Sequence, residues 1–162
     1  MIKALRVLHE HSSRFYQEYG FDAFDNFKWR EMSVVDVLNI NGFGAKIAPG
    51  RHGCDFTAEC VEHGEIKTKL ASASPRFEWS RLSNPRSLLT LNQTDCFVFA
   101  VFSRLEFAPK SVWVVRNPES VIKLKQLVAS RIPSPTAARD TVSVSLKEIL
   151  ELRHEVLGTN EL

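Results

Sequence analysis

The run Cys-Phe-Val-Phe-Ala-Val-Phe at residues 96–102 most limits the folds open to this chain. A continuous apolar run rich in β-formers reads as a buried strand, and Ser-Val-Trp-Val-Val at 111–115 reads as a second one. Helical patterns lie on both sides of this pair in sequence. Leu5, Leu8, Ser12, Phe15, Tyr16 and Tyr19 recur at three- and four-residue intervals, which predicts an amphipathic opening helix over about 3–19 ending at Gly20. A second helix is predicted from near Ser33, with Val34, Val35, Val37 and Leu38 before Gly42, followed by the glycine-rich connection NGFGAKIAPGRHG. Asn84-Pro85 and Asn117-Pro118 each place a capping residue before a proline at the first helical position, predicting helices to about Leu91 and about Ala129. After the loop RIPSPTAARD, Thr-Val-Ser-Val-Ser reads as a short strand. Ser145 and Glu148 then form a capping box that opens a final helix carrying Leu146, Ile149, Leu150, Val156 and Leu157. This order predicts an α/β fold, a mixed central β-sheet flanked by helices, in one domain spanning 1–162.

Composition agrees with a globular domain: 162 residues, 44% of them hydrophobic, can bury one sizeable core. No apolar run approaches the ~20 residues of a membrane span, and MIKALRVLHEHSSR meets charge too early for a secretory signal. No membrane association is expected, and the cytoplasm is the expected location. The three cysteines, Cys54, Cys60 and Cys96, suit a reducing compartment. The net charge of +2 decides little, because nucleic-acid binding depends on where basic groups cluster.

Residues 54–70 carry the chemistry. A strand over 54–60 would put Cys54, Phe56, Ala58 and Cys60 on one face and Asp55, Thr57 and Glu59 on the other. After a turn through Glu62, His63 and Gly64, the returning strand would show Glu65, Lys67 and Lys69 on one face, with Ile66, Thr68 and Leu70 opposite. Such a hairpin gathers Asp55, Glu65 and Lys67 on one side. Residue types alone favour a salt-bridged, solvated face, since short charged motifs are common. Two carboxylates beside a lysine also make a Mg²⁺ site with room for water and phosphate oxygen, as phosphodiester hydrolysis needs. Zinc is a third reading through His52, Cys54, Cys60 and His63; it ranks below magnesium because the strand faces turn both cysteines toward the core.

Asp55, nine intervening residues, and Glu65-Ile66-Lys67 resemble the PD-(D/E)xK nuclease motif, and the Gly-Arg-His-Gly-Cys-Asp leading into it resembles PvuII-type restriction endonucleases. The similarity runs from the opening helix through VLNINGF and PGRHGCD, across EIKTK and Asn84-Pro85, to CFVFAVF, roughly two thirds of the chain; nothing aligns beyond about residue 116. The resemblance implies a restriction-endonuclease-like fold and a homodimeric, Mg²⁺-dependent type II enzyme that cuts both strands of double-stranded DNA at a short symmetric sequence. Asp55 and Glu65 would be metal ligands with the Ile66 carbonyl as a third, and Lys67 would serve the attacking water. Thr68 stands where a small hydroxyl residue is expected. His52 stands where PvuII-type enzymes carry a further acid. A structure-specific or repair nuclease with the same motif, and a non-catalytic DNA-binding domain, are the competing readings; retention of all three motif residues speaks against the last.

The same resemblance places DNA contacts around the motif and in RFEWSRLSNPR, residues 76–86: Arg51, His52, Arg76, Ser80, Arg81, Ser83 and Arg86. Ser80, Arg81, Leu82 and Ser83 replace the histidines expected just before Asn-Pro. The forked guanidinium of Arg81 matches O6 and N7 of guanine, which predicts a site containing G·C pairs, unless Arg81, Arg76 and Arg86 contact phosphates instead. The dimer contact is expected on the opening helix through Leu5, Leu8, Phe15 and Tyr19, with packing of that stripe on its own domain as the alternative.

Overall fold

The computed structural model describes residues 28–48, 53–103, 108–133 and 140–158, together with Arg14 and Gln17. The other residues of the expected opening helix, among them its dimer contact at Leu5, Leu8, Phe15 and Tyr19, lie outside the described residues, as do Arg51 and His52. The fold is mixed α/β. A six-stranded sheet has the order β1-β2-β3-β5-β6-β8, with β1 at Lys46–Ile47, β2 at Phe56–Ala58, β3 at Val61–Leu70, β5 at Cys96–Phe102, β6 at Pro109–Val115 and β8 at Glu155–Leu157. A separate two-stranded ribbon pairs β4, Arg76–Ser80, with β7, Thr141–Ser145. The helices are α1 at Lys28–Ile40, α2 at Pro85–Gln93, α3 at Pro118–Ala129 and α4 at Leu146–Leu150.

The β5 run is apolar throughout because the strand is central and both of its faces are covered. It pairs parallel with β3 and antiparallel with β6, and all seven of its residues are buried. Side chains alternate across a strand, so Cys96, Val98, Ala100 and Phe102 enter one core with α1 residues Val34, Val37 and Leu38. Phe97, Phe99 and Val101 enter the opposite core, built with Phe77 and Trp79 of β4, Leu91 of α2, Leu124 of α3 and Val144 of β7. Parallel pairing carries this division onto β3. Ile66 lies beside Val98 and joins the first core, whereas Glu65 and Lys67 lie beside Phe97 and Phe99 on the second face.

The sequence expectations hold for the capped elements. Asn84 and Asn117 cap α2 and α3 by accepting from the Arg86 and Ser120 backbone N–H groups at 2.9 and 3.3 Å. The Ser145–Glu148 capping box is formed. Four expectations are corrected. Helix α1 begins at Lys28 instead of near Ser33, because its first turn is anchored by Trp29 packed edge-on against Phe102 at 5.5 Å. The glycine-rich connection contains β1, paired antiparallel to β2. RFEWS is strand β4 and not merely a connection, with Phe77 and Trp79 buried between exposed Arg76, Glu78 and Ser80. The final helix stops at Leu150, and Val156 and Leu157 lie in β8, where the edge of β6 supplies backbone partners and Leu157 reaches the first core.

Two stability predictions arise here. Gly64 faces the fully buried Phe56, and a Cβ at Gly64 would lie 2.2 Å from the Phe56 ring. Gly64→Ala therefore forces the ring out of its place, and should cost roughly 1–3 kcal/mol in denaturant unfolding, as overpacking of a dense core does. In α4, the Arg131 guanidinium first, and then the Ser145 hydroxyl and backbone N–H, hold the Glu148 carboxyl at about 2, below its usual 4.5. A depressed carboxyl contributes stability above its unfolded pKa that is lost as pH falls toward the folded value. Glu148→Gln should thus be less stable than wild type at neutral pH, with the gap closing between about 4.5 and about 2 in acid titrations followed by circular dichroism.

Candidate active site

The motif residues come from the two sides of the β2–β3 pairing, which contains a register shift with its extra residue on β3, Glu62 and His63 standing against Thr57. Ala58 pairs with Val61 across a tight turn at Glu59 and Cys60, but Phe56 pairs with Gly64, one residue out of step with that turn. The turn therefore lies earlier than the expected Glu62-His63-Gly64, and the extra residue on β3 absorbs the difference. A one-residue slip changes the face on which each side chain emerges. Asp55, the residue before β2, makes hydrogen bonds to the two peptide groups that flank Glu65 of β3. The Asp55 N–H donates to the Gly64 carbonyl at 2.8 Å, and Asp55 Oδ2 accepts the Ile66 N–H at 2.8 Å. Asp55 thus brackets Glu65 along the backbone. Its own carbonyl turns to β1 and accepts from Ala48 N–H at 2.9 Å.

Glu65 and Lys67 emerge together on the second face of β3 and form an ion pair at 2.6 Å, with side chains 13% and 22% exposed. Both groups are thus half sheltered and still reachable from solvent. Trp79 of β4 completes the group. Its indole Nε1–H donates to Glu65 Oε2 at 3.3 Å, and Lys67 Nζ sits 5.3 Å from its ring centroid. These residues line one side of an open cleft of about 180 Å³, with Ser80 and Leu82 at the end of β4 and Ser87, Thr90 and Leu91 of α2 on the other side. The segment leading into Asp55 also abuts α2: a Cβ at Gly53, whose φ is 87°, would lie 3.3 Å from Thr90 Oγ1.

The donors fit a hard divalent cation. Asp55 and Glu65 are carboxylates placed side by side, and Mg²⁺ takes one or two carboxylates and completes its shell with water and phosphate oxygen. The zinc reading fits poorly. Cys60 is exposed, against the expectation that it faces the core, because β2 ends at Ala58 and Cys60 lies in the turn to β3. Burial, and then the charges of Asp55 and Asp95, push the Cys54 thiol up.

Of the candidate DNA contacts described, Ser80, Arg81 and Ser83 lie at one end of the β4–β7 ribbon, Arg76 at its other end, and Arg86 on α2. Arg81, exposed, has φ 59°, a left-handed backbone that costs a non-glycine residue stability. Its N–H donates to the Asp140 carbonyl at 2.8 Å and its carbonyl accepts from Asn84 N–H at 2.9 Å. The neighbouring Leu82 is buried, so the turn is held while the guanidinium points to solvent. Ser83 is held by Asp140 through its hydroxyl and its backbone N–H, the latter at 3.2 Å. Arg76 Nε donates to Ser143 Oγ at 3.0 Å along the ribbon, Ser80 borders the cleft, and Arg86 is exposed in the first turn of α2. Sequence reasoning passed over Trp79 and Asp140. The period-two alternation of RFEWS could have placed Trp79 on the face of Glu65; nothing local marks Asp140, which acts across 57 residues. The chain matches no protein-family model and no curated protein. No helix among the described residues is long and apolar enough to cross a membrane.

Proposed function

We propose that this chain is a Mg²⁺-dependent type II endodeoxyribonuclease of restriction-endonuclease-like fold, acting in the cytoplasm as a homodimer on double-stranded DNA. The observation that supports this reading is the placement of Asp55, hydrogen-bonded to the peptide groups on both sides of Glu65, with Lys67 paired to Glu65 in an open cleft. Asp55, Glu65 and the Ile66 carbonyl would hold the cation, which supplies Lewis-acid stabilisation of charge on the phosphate. The Lys67 ammonium orients the attacking water and stabilises charge on the phosphate, and the water's proton passes to solvent. The water oxygen forms a bond to phosphorus, the bond from phosphorus to the 3′ oxygen breaks, and that oxygen leaves as a hydroxyl after protonation from solvent. Two copies related by a two-fold axis cut the two antiparallel strands.

Digestion of unmethylated bacteriophage DNA in Mg²⁺ tests the reading. Discrete fragments support a site-specific enzyme, a smear would instead indicate a nuclease without sequence preference, and intact DNA would refute nuclease activity. Arg81 is the proposed base reader, presented by a turn whose strain a glycine would relieve. Arg81→Ala keeps the backbone demand and removes only the guanidinium. A contact to guanine should make it cost ~1–3 kcal/mol on the specific duplex alone. Equal losses on specific and random duplexes, with the salt slope reduced by about one unit, would assign Arg81 to a phosphate.

A further inference from the structure

We infer that Trp79 is a positioning residue for the metal-binding carboxylate and its lysine, an inference that rests on the nuclease reading. Trp79 is 3% exposed and sits in β4 opposite Val142, so the β4–β7 ribbon fixes its place. Its ring packs edge-on against Phe97 and Phe99 at 6.2 Å each, the two β5 residues beside Glu65 and Lys67. From this seat its two chemical features address two different partners. The indole N–H holds Glu65 Oε2, leaving Oε1 to Lys67. The face of the ring receives the Lys67 ammonium, an attraction that does not depend on Glu65.

The division matters when a cation enters. A cation binding Glu65 competes with Lys67 for Oε1, and Lys67 must give up its 2.6 Å ion pair. The indole N–H keeps the carboxylate from rotating, while the ring face keeps the displaced ammonium in the cleft instead of releasing it to water. Partners that orient a metal ligand typically contribute about 10–100-fold to metal affinity or activity. Trp79 also couples the two halves of the cleft, because the strand that carries it ends in the turn at Arg81.

The test uses the wild-type protein and Ca²⁺ as the probe. Three indole N–H signals arise from Trp29, Trp79 and Trp113, and single substitutions to phenylalanine assign them in ¹H–¹⁵N spectra. Ca²⁺ titration should shift the Trp79 signal in parallel with binding measured by calorimetry, and Trp29, on the opposite face of the sheet, should not follow. Trp79→Phe, which keeps a ring and loses the N–H, should bind Ca²⁺ about tenfold more weakly. Trp79→Leu should add a loss in kcat at saturating Mg²⁺, because the seat for Lys67 is gone. Calorimetric Ca²⁺ binding that is lost in Glu65→Gln but leaves the Trp79 signal unmoved would overturn the positioning role and leave the nuclease reading standing. Absence of any Ca²⁺ binding with or without DNA would overturn both.

Discussion

Glu65→Ala is expected to abolish DNA cleavage while leaving DNA binding in Ca²⁺ intact. Glu65 is the carboxylate that lines the cleft, and without it the cation would lose a ligand where charge builds on the phosphate. The loss should be several kcal/mol of transition-state stabilisation, roughly a thousandfold or more in single-turnover rate. Asp55 needs a finer substitution, because its Oδ2 also accepts the Ile66 N–H at 2.8 Å, and alanine would strand that donor. Asp55→Asn keeps an oxygen for the Ile66 N–H and removes the charge. It should fold like wild type, as judged by thermal unfolding, and should fall to the same low cleavage rate. Near-normal cleavage by either variant would remove Asp55 and Glu65 from the metal site. Binding is preserved in the expected result because none of the proposed DNA contacts is Asp55 or Glu65, and Arg76, Ser80, Arg81, Ser83 and Arg86 lie on β4, the turn after it and α2.

Lys67→Ala should reduce the cleavage rate by about 3 kcal/mol, on the order of a hundredfold, the effect of deleting one preorganised catalytic group. Metal affinity should move the other way or not at all. Lys67 occupies Glu65 Oε1 at 2.6 Å, so its removal frees an oxygen for the cation. A fall in cleavage rate with undiminished Ca²⁺ binding by calorimetry is therefore the signature of a catalytic lysine. Unchanged turnover would reduce Lys67 to the ion pair it forms with Glu65. Parallel losses of rate and metal affinity would mean that the lysine only organises the carboxylate.

Much of this architecture was legible in the residues. The β5 run announced a strand covered on both faces, and the Asn-Pro and Ser-x-x-Glu signals located the starts of α2, α3 and α4, because capping is decided by a few adjacent groups. The features that escaped depend on distant partners. An apolar periodicity continuing to Leu157 read as helix, yet β8 forms because β6 leaves an edge whose backbone groups take Glu155–Leu157, a pairing across about 40 residues of chain. RFEWS is alternating and could be read as a strand, but its partner β7 lies beyond α3, and only that pairing turns Trp79 toward Glu65. The bulge in β3 at Glu62 and His63 was least visible. Asp55, Glu65 and Lys67 were expected on one side from simple alternation about a turn at Glu62–Gly64; they are brought together about a different turn, with the register corrected by one residue where Phe56 lies over Gly64. Glycine at that position is what allows the ring its place, so a residue with no chemistry of its own sets the spacing of those that have it.

The most direct measurement compares wild type and Glu65→Ala, purified identically, on long unmethylated bacteriophage DNA in Mg²⁺ and in EDTA. The account predicts defined fragments from wild type in Mg²⁺ alone, with intact DNA in the other three reactions. Cleavage by Glu65→Ala at the wild-type rate, cleavage in EDTA, or no cleavage by wild type in Mg²⁺ would contradict it.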